Sequence, residues 1–336
     1  MSPLGTITGS PLLSTVVFLA GIGLVVFSVE EFVEHVAATA VGLGVSTFFL
    51  TVVLAGTDLE NAVLGGAAVL GRLPDVGLGT VFGEAVFILC LALGLGGILV
   101  PFEIRTPPRY LALTGVSPIV LLVASLDGVL SRLDGAILVF AFLPAVALLY
   151  RWEGNRSTRY LEPEDDLDEG NGEAVEEGGE PNADEADGIG PLGRLGILVA
   201  TVVGMTVGSE LAVQGTKGLL AVTGIGGLAF GATVLSFVAS IEEVFLTVEP
   251  VREGRPAVAA GNVVGSMLFF VTANAGILAL VHPLVVSPAV WTVQYPFFLG
   301  ALAVVLLVLY RGVVSRPIGV GLVAIYGLYW VVIYGS

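Results

Sequence analysis

Apolar residues run along this 336-residue chain in blocks of about twenty or more, separated by short polar breaks. A helix rises ~1.5 Å per residue, so about twenty apolar residues in a row can cross a hydrocarbon core of ~30 Å. The blocks predict ten membrane spans, near residues 11–31, 38–70, 76–101, 110–127, 131–150, 191–214, 218–249, 257–281, 286–310 and 314–334. The expected fold class is therefore an all-α polytopic membrane protein. The second and seventh blocks are too long for one straight crossing and hold polar residues in mid-span, which predicts a break or tilt in each.

Those polar residues are Gly56-Thr57-Asp58-Leu59-Glu60-Asn61 and Val238-Ala239-Ser240-Ile241-Glu242-Glu243. An ionisable group in mid-membrane costs several kcal/mol unless it is paired or functional, so both stretches are candidate sites. They lie 182 positions apart (Glu60 to Glu242), and the same offset places Gly42 on Gly224, Gly44 on Gly226, Phe48 on Phe230 and Leu59 on Ile241. It also places Gly79 on Gly261, Val81 on Val263, Gly83 on Gly265 and Gly94 on Gly276, without a gap. The chain is an internal duplication.

Composition agrees: 55% of residues are hydrophobic and 12% charged, more apolar surface than a soluble domain can hide. The net charge of -16 arises largely because fourteen of the 29 acidic residues fall between Glu153 and Asp187. That segment reads as a hydrated, disordered linker. It lacks the alternating acids, central glycine and terminal glutamate of an EF-hand loop, so hydration is the reading preferred over regulatory Ca2+ binding. The expected organisation is a first five-helix repeat over residues 1–150, the acidic linker over 151–190, and a second five-helix repeat over 191–336.

Basic residues set the expected orientation. With the N-terminus outside, the cytoplasmic loops receive Arg105, Arg109, Arg151, Arg156, Arg159, Arg194, Arg252, Arg255, Arg311 and Arg316, leaving Arg72, Arg132 and Lys217 outside. Both termini are then external and the linker is cytoplasmic. Five spans is an odd number, so the second repeat enters from the opposite side and the repeats are inverted, with broken helices at the centre. That is the architecture of alternating-access transporters. No basic segment precedes the apolar run from Pro11, which reads as a span and not as a cleaved signal.

Other residues carry plainer expectations. Cys90 is the single cysteine, expected to be a small buried hydrophobe, and it leaves no thiolate metal site or intrachain disulfide. Trp291, Tyr295, Tyr310, Tyr326 and Trp330 stand near span ends and are expected in interfacial belts. His35 and His282 are expected just past spans one and eight, in solvated positions. Glu30, Glu31 and Glu34 read as a solvated helix end, or as an access vestibule for cations.

Residues 208–276 resemble the calcium/cation antiporter superfamily, which includes the sodium/calcium exchangers. The resemblance lies in Gly208-Ser209-Glu210-Leu211-Ala212-Val213-Gln214-Gly215, Gly231-Ala232-Thr233, Ser240-Ile241-Glu242-Glu243 and Gly261-Asn262-Val263-Val264-Gly265-Ser266, whose serine follows Glu243 by 23 residues. The resemblance implies that a Gly-Thr-Ser-Leu-Pro-Glu motif on spans two and seven coordinates Na+ and Ca2+. By position, Thr57 and Asp58 take the Thr-Ser places and Asn61 the glutamate's in the first repeat. Ala239, Ser240 and Glu243 take them in the second. The family's serine on spans three and eight becomes Glu84 and Ser266, and its next acid or amide becomes Ile88 and Phe270.

The implied cation-binding set is thus Thr57, Asp58, Asn61, Glu84, Ala239, Ser240, Glu243 and Ser266, with Asp58, Glu84 and Glu243 as the carboxylate metal ligands. Oxygen donors of this kind suit Na+ and Ca2+. Three carboxylates around one site repel each other, which admits a proton as a substrate. Glu60 and Glu242 replace the family's proline, leaving the helix break less assured. Residues two apart on a helix face nearly opposite ways, so both are expected to point away from the main site, as coupling or secondary cation residues or as structural partners.

The leading expectation is a secondary antiporter exchanging Ca2+ for Na+ by alternating access, with these ions as substrates and no cofactor. The expected partners are inorganic cations and the lipid bilayer, with no nucleic acid. Cation/proton or Na+/H+ exchange on the same fold is the near rival. A non-transporting cation sensor signalling through the linker is a third reading, supported by Asn61, Ile88 and Phe270. No enzyme is expected, because no His-rich metal motif, aspartyl dyad or nucleophile-base pair is visible.

Overall fold

The computed structural model describes residues 10–42, 58–153 and 191–335. Eleven helices carry the described chain: α1 Pro11–Gly42, α2 Leu59–Leu70, α3 Pro74–Leu99, α4 Pro108–Ala124, α5 Arg132–Glu153, α6 Pro191–Thr223, α7 Gly227–Ala239, α8 Glu242–Arg252, α9 Pro256–Val281, α10 Val290–Arg311 and α11 Arg316–Gly335. By length and composition, seven of the described helices can cross a membrane, or eight with the bent α7–α8 pair as one span; α2 and α4 are shorter and apolar. Each of the ten expected blocks holds at least one of these segments, the seventh holding α7 and most of α8. Residues 154–190 of the linker and residues 43–57 of the second block, Thr57 among them, lie outside the described residues.

Prolines open several helices at the first turn, where the missing N–H costs nothing: Pro74 in α3, Pro108 in α4, Pro256 in α9. Between α6 and α7 the chain turns at Gly224, whose φ of 68° needs a glycine. Two expected boundaries move. Helix α1 runs on to Gly42, so Glu30, Glu31 and His35 sit within it; His35 Nδ1 lies 2.8 Å from the Glu31 carbonyl oxygen. Helix α6 runs on to Thr223, so Lys217 is helical. In both cases nothing in the local sequence breaks the helix at the polar residue, so it continues past the expected span end.

The duplication is visible in the element boundaries. Helix α3 and helix α9 start and end 182 positions apart, and each holds a six-residue π-helical stretch in register, Phe87–Ala92 and Phe269–Asn274. Two short antiparallel ribbons tie the repeats together. Strand β1 (Phe102–Glu103) pairs with β4 (Val313–Val314), and β2 (Val129–Leu130) pairs with β3 (Leu284–Val285). The same offset turns β1 into β3 and brings β2 to within two residues of β4, so each ribbon resembles the other with its repeats exchanged. That exchange is what a two-fold axis between inverted repeats produces.

Helices α3 and α9 form the buried centre, with Val81, Ala85, Phe87 and Leu89 of one and Val263, Met267, Phe270 and Leu278 of the other in the core. Close packing across the repeats runs through glycine. A Cβ at Gly276 would lie 2.7 Å from the Gly135 carbonyl oxygen, and one at Gly94 3.0 Å from the Gly319 carbonyl oxygen. Gly94 and Gly276 are echoes of each other, and small residues let membrane helices approach this closely. Outward-facing positions are apolar as well: Phe27, Phe140 and Val331 are mostly exposed, as side chains in contact with lipid tails would be.

The aromatic residues divide. Tyr310 is exposed at the end of α10, as a belt residue would be. Tyr295 and Tyr326 are buried and correct that expectation: the Tyr295 hydroxyl lies 2.8 Å from Ser125 Oγ, and its ring stacks on Trp291. Tyr326 and Trp330 pack edge to face. Their nearness to span ends along the chain did not reveal that α10 and α11 turn these faces inward. Cys90 is buried and His282 is exposed.

Candidate functional site

The polar residues meet where α7 gives way to α8 and where α2 begins. The α7–α8 pair bends by 45° without a proline at the break. Ser240 leaves helical geometry at φ -100° and ψ 16°, and tight three-residue bonds restart the helix: Glu243 N to Ser240 O at 3.1 Å and Val244 N to Ile241 O at 3.3 Å. The acids Glu242 and Glu243 then occupy the first turn of α8, where the unpaired N–H groups favour negative charge. In the first repeat Asp58 is the N-cap of α2, accepting from Asn61 N at 3.3 Å. The three-residue spacing of Asp58 and Asn61 thus reflects a cap, as aspartate favours, and not one helix face.

Side-chain bonds join the repeats. Asn61 Nδ2 donates to Asp58 Oδ2 and, at 3.1 Å, to Ser240 Oγ. Glu243 accepts from Asn262 Nδ2 at 2.5 Å and from Ser266 Oγ at 3.3 Å, both on α9. Glu84, on α3, accepts from Asn274 Nδ2 at 2.9 Å. Asp58 stands within electrostatic reach of both Glu84 and Glu243. Asp58, Asn61, Glu84, Ser240, Glu243 and Ser266 are all buried, and Ala239 is buried beside them at the end of α7 with no polar side-chain atom to offer. Thr57 lies outside the described residues.

Glu60 and Glu242 depart from expectation. Carboxylate oxygens of Asp58, Glu60 and Glu242 all lie within 4.8 Å of one another. Opposite helix faces do not separate them, because Asp58 precedes the helix, with φ -84° and ψ 79°. Its carboxylate is therefore free to turn toward Glu60. Glu60 is buried and Glu242 is half-buried, so the three form a short acidic step from the surface of the bundle to the central group.

Two partners escaped the sequence reading. Asn262 stands in the Gly-Asn-Val-Val-Gly-Ser element, three residues after Ala259 on the same buried helix, and that motif was the available signal. Asn274 had none from the duplication, since its echo is Ala92. Every donor in the assembled group is a carboxylate, amide or hydroxyl oxygen or an amide nitrogen bonded to one. Such a set suits hard cations of the Na+ and Ca2+ type.

Comparison with known proteins decides the family. The profile of the sodium/calcium exchanger protein family matches residues 13–151 and 194–335, both repeats without the acidic linker between them. The chain belongs to that family. It is 27% identical over 334 residues to the inner membrane protein YrbG of Escherichia coli, covering 95% of this chain and 98% of that one. It is 25% identical to the putative antiporter CaxA of Alkalimonas amylolytica, covering 91% and 92%. Among solved structures it is similar to the sodium-calcium exchanger NCX_Mj soaked with Na+ and Sr2+, with a TM-score of 0.58, 22% identity and coverage of 95% and 98%. This chain is thus a multi-pass integral membrane protein of a family that moves inorganic cations by antiport.

Proposed function

We propose that this exchanger moves Ca2+ against Na+ across the cell membrane, by alternating access around the polar group at the helix break. The observation that carries this reading is the bond between Asn61 of one repeat and Ser240 of the other, beside Asp58 and Glu243. Rocking one repeat against the other changes that contact directly, and so couples the occupancy of the site to which side is open. Asp58 and Glu243 supply two negative charges, matched to a divalent cation or to more than one Na+. Both termini lie outside and the acidic linker lies in the cytoplasm, as the distribution of arginines supports.

The test is uptake of radioactive Ca2+ into proteoliposomes of the purified protein, driven by an outward Na+ gradient. Uptake that requires the gradient is the expected result; uptake that ignores Na+ overturns the reading. Proton coupling is a second reading, favoured by the closeness of Asp58, Glu60 and Glu242. Three carboxylates so near each other are relieved by a proton as well as by a cation. Ca2+ uptake driven by an outward proton gradient with no Na+ present, at zero membrane potential, would establish it instead.

A further inference from the structure

A groove of about 290 Å³ runs between α10 and α11, and no residue of the polar centre lines it. It extends from Val304 to Arg311 along α10 and from Ile318 to Ile325 along α11. Seven residues of helix rise about 10 Å, two-thirds of an apolar leaflet of ~15 Å. Val308 and Leu322 form its buried floor. Gly321 keeps it open, because a Cβ there would meet no atom within 4 Å. Arg311, in the last turn of α10, is the one charged residue among the described residues of the lining. The groove is therefore apolar along its length and cationic at one end.

Other arginines gather at that end. Gly312 closes α10 in the left-handed region, at φ 78°, and turns the chain into β4. Its carbonyl oxygen accepts from Ile104 N at 2.9 Å, and β4 pairs with β1, so the connections that follow α3 and α10 meet. Arg105 follows Ile104, and Arg316 opens α11. Arg105, Arg311 and Arg316 are all exposed, and none of their guanidinium groups bonds to an acid or other polar group among the described residues. Residues 100–107 and 311–316 hold these three arginines and a single acid, Glu103.

A cationic mouth on an apolar groove of this direction and length has the shape and charge of one kind of membrane molecule. We propose that the groove holds an anionic phospholipid, with an acyl chain laid over Gly321 and Leu322 and the phosphate on Arg311. A guanidinium presents a planar fork of donors that fits two phosphate oxygens, and it stays charged at the interface. Arg105 and Arg316 add attraction for a headgroup with net negative charge. The same arginines mark this end as the cytoplasmic one, where anionic lipids concentrate and basic pockets between helices hold their headgroups. A two-fold contact with a second copy of the chain would set this arginine patch against itself, whereas a phospholipid supplies the missing negative charge. The site is independent of the ions exchanged at the polar centre.

The test is native mass spectrometry of the delipidated full-length protein in detergent, titrated with phosphatidylglycerol and, separately, with phosphatidylcholine of the same acyl chains. The wild type should bind its first phosphatidylglycerol about tenfold more tightly than phosphatidylcholine. Arg311→Gln should abolish that preference. Gly321→Phe, whose ring fills the groove, should weaken the binding of both lipids by about tenfold or more. Gly327→Phe, equally open but outside the groove on the same helix, should leave both affinities within about threefold of the wild type. Should Gly321→Phe fail to fold, Gly321→Leu carries the same expectation. Equal affinity of the wild type for the two lipids would overturn the proposal, as would a preference that survives Arg311→Gln. Unchanged binding in Gly321→Phe, or an equal loss in Gly327→Phe, would remove the lipid from this groove. Glycerol 3-phosphate at the same concentration should leave the lipid bound; displacement by it would make this a site for free phosphate and overturn the lipid reading.

Discussion

The two repeats fold alike and carry different charges. In the second, the acid Glu243 sits on α8 and is held by the amide of Asn262 and the hydroxyl of Ser266 on the next helix. In the first, the corresponding places are Asn61, Thr80 and Glu84: the amide is on α2 and the acid on α3. None of these three first-repeat residues bonds as its echo does. Asn61 turns to Asp58 and across to Ser240, Thr80 caps its own helix turn, and Glu84 reaches Asn274 of the other repeat. Pseudo-symmetry of the backbone therefore leaves the site asymmetric, because glycines and apolar contacts fix the helix positions while the polar side chains pair with whatever acceptor lies within reach.

The sharpest way to break this comparison is at its two matched positions. Glu243→Gln should lower Ca2+ uptake about 100-fold, since a charged ligand with two donors aimed at it is worth roughly 3 kcal/mol. Asn61→Ala, the matched change, should cost about tenfold. Equal losses would mean that the repeats contribute alike and that the asymmetry has no functional weight.

The symmetric part of the comparison lies in packing. Gly276→Ala and Gly94→Ala should each destabilise the protein by roughly 2 kcal/mol, by forcing a methyl group against a carbonyl of the other repeat. Thermal unfolding in detergent would show similar decreases in Tm for the pair. A large effect at one and none at the other would place the fold's asymmetry in the backbone as well.

The next contrast separates Asn262 from its echo. Asn262→Ala leaves Glu243 with Ser266 as its remaining donor, and Ca2+ affinity should fall about tenfold, measured by titration. The smallest effect belongs to Thr80→Val, which is nearly isosteric and removes a hydroxyl bonded to its own helix; Ca2+ affinity should change by less than about threefold. A larger change would assign Thr80 to the ion pathway.

The class of fold, the duplication and most of the polar residues that meet are legible in the order of the amino acids alone. Blocks of apolar residues about one bilayer long leave no other means of satisfying the backbone than helices. The offset of 182 residues located the repeats because glycines at helix crossings, such as Gly94 and Gly276, tolerate no Cβ. Acids in mid-span are conspicuous for the cost of burying them, which singles out Asp58 and Glu243, whereas Glu84 is marked only by the resemblance. Tertiary structure decided how they pair. Glu60 and Glu242 join Asp58 only because Asp58 caps α2 instead of lying within it. Asn274 meets Glu84 across 190 residues of chain, at the end of a π-helical stretch that periodicity does not announce. Tyr295 and Tyr326 face inward because of how α10 and α11 pack. Helix formation and membrane insertion depend on local composition, whereas the direction of a buried polar side chain depends on which partner another helix brings within about 3 Å.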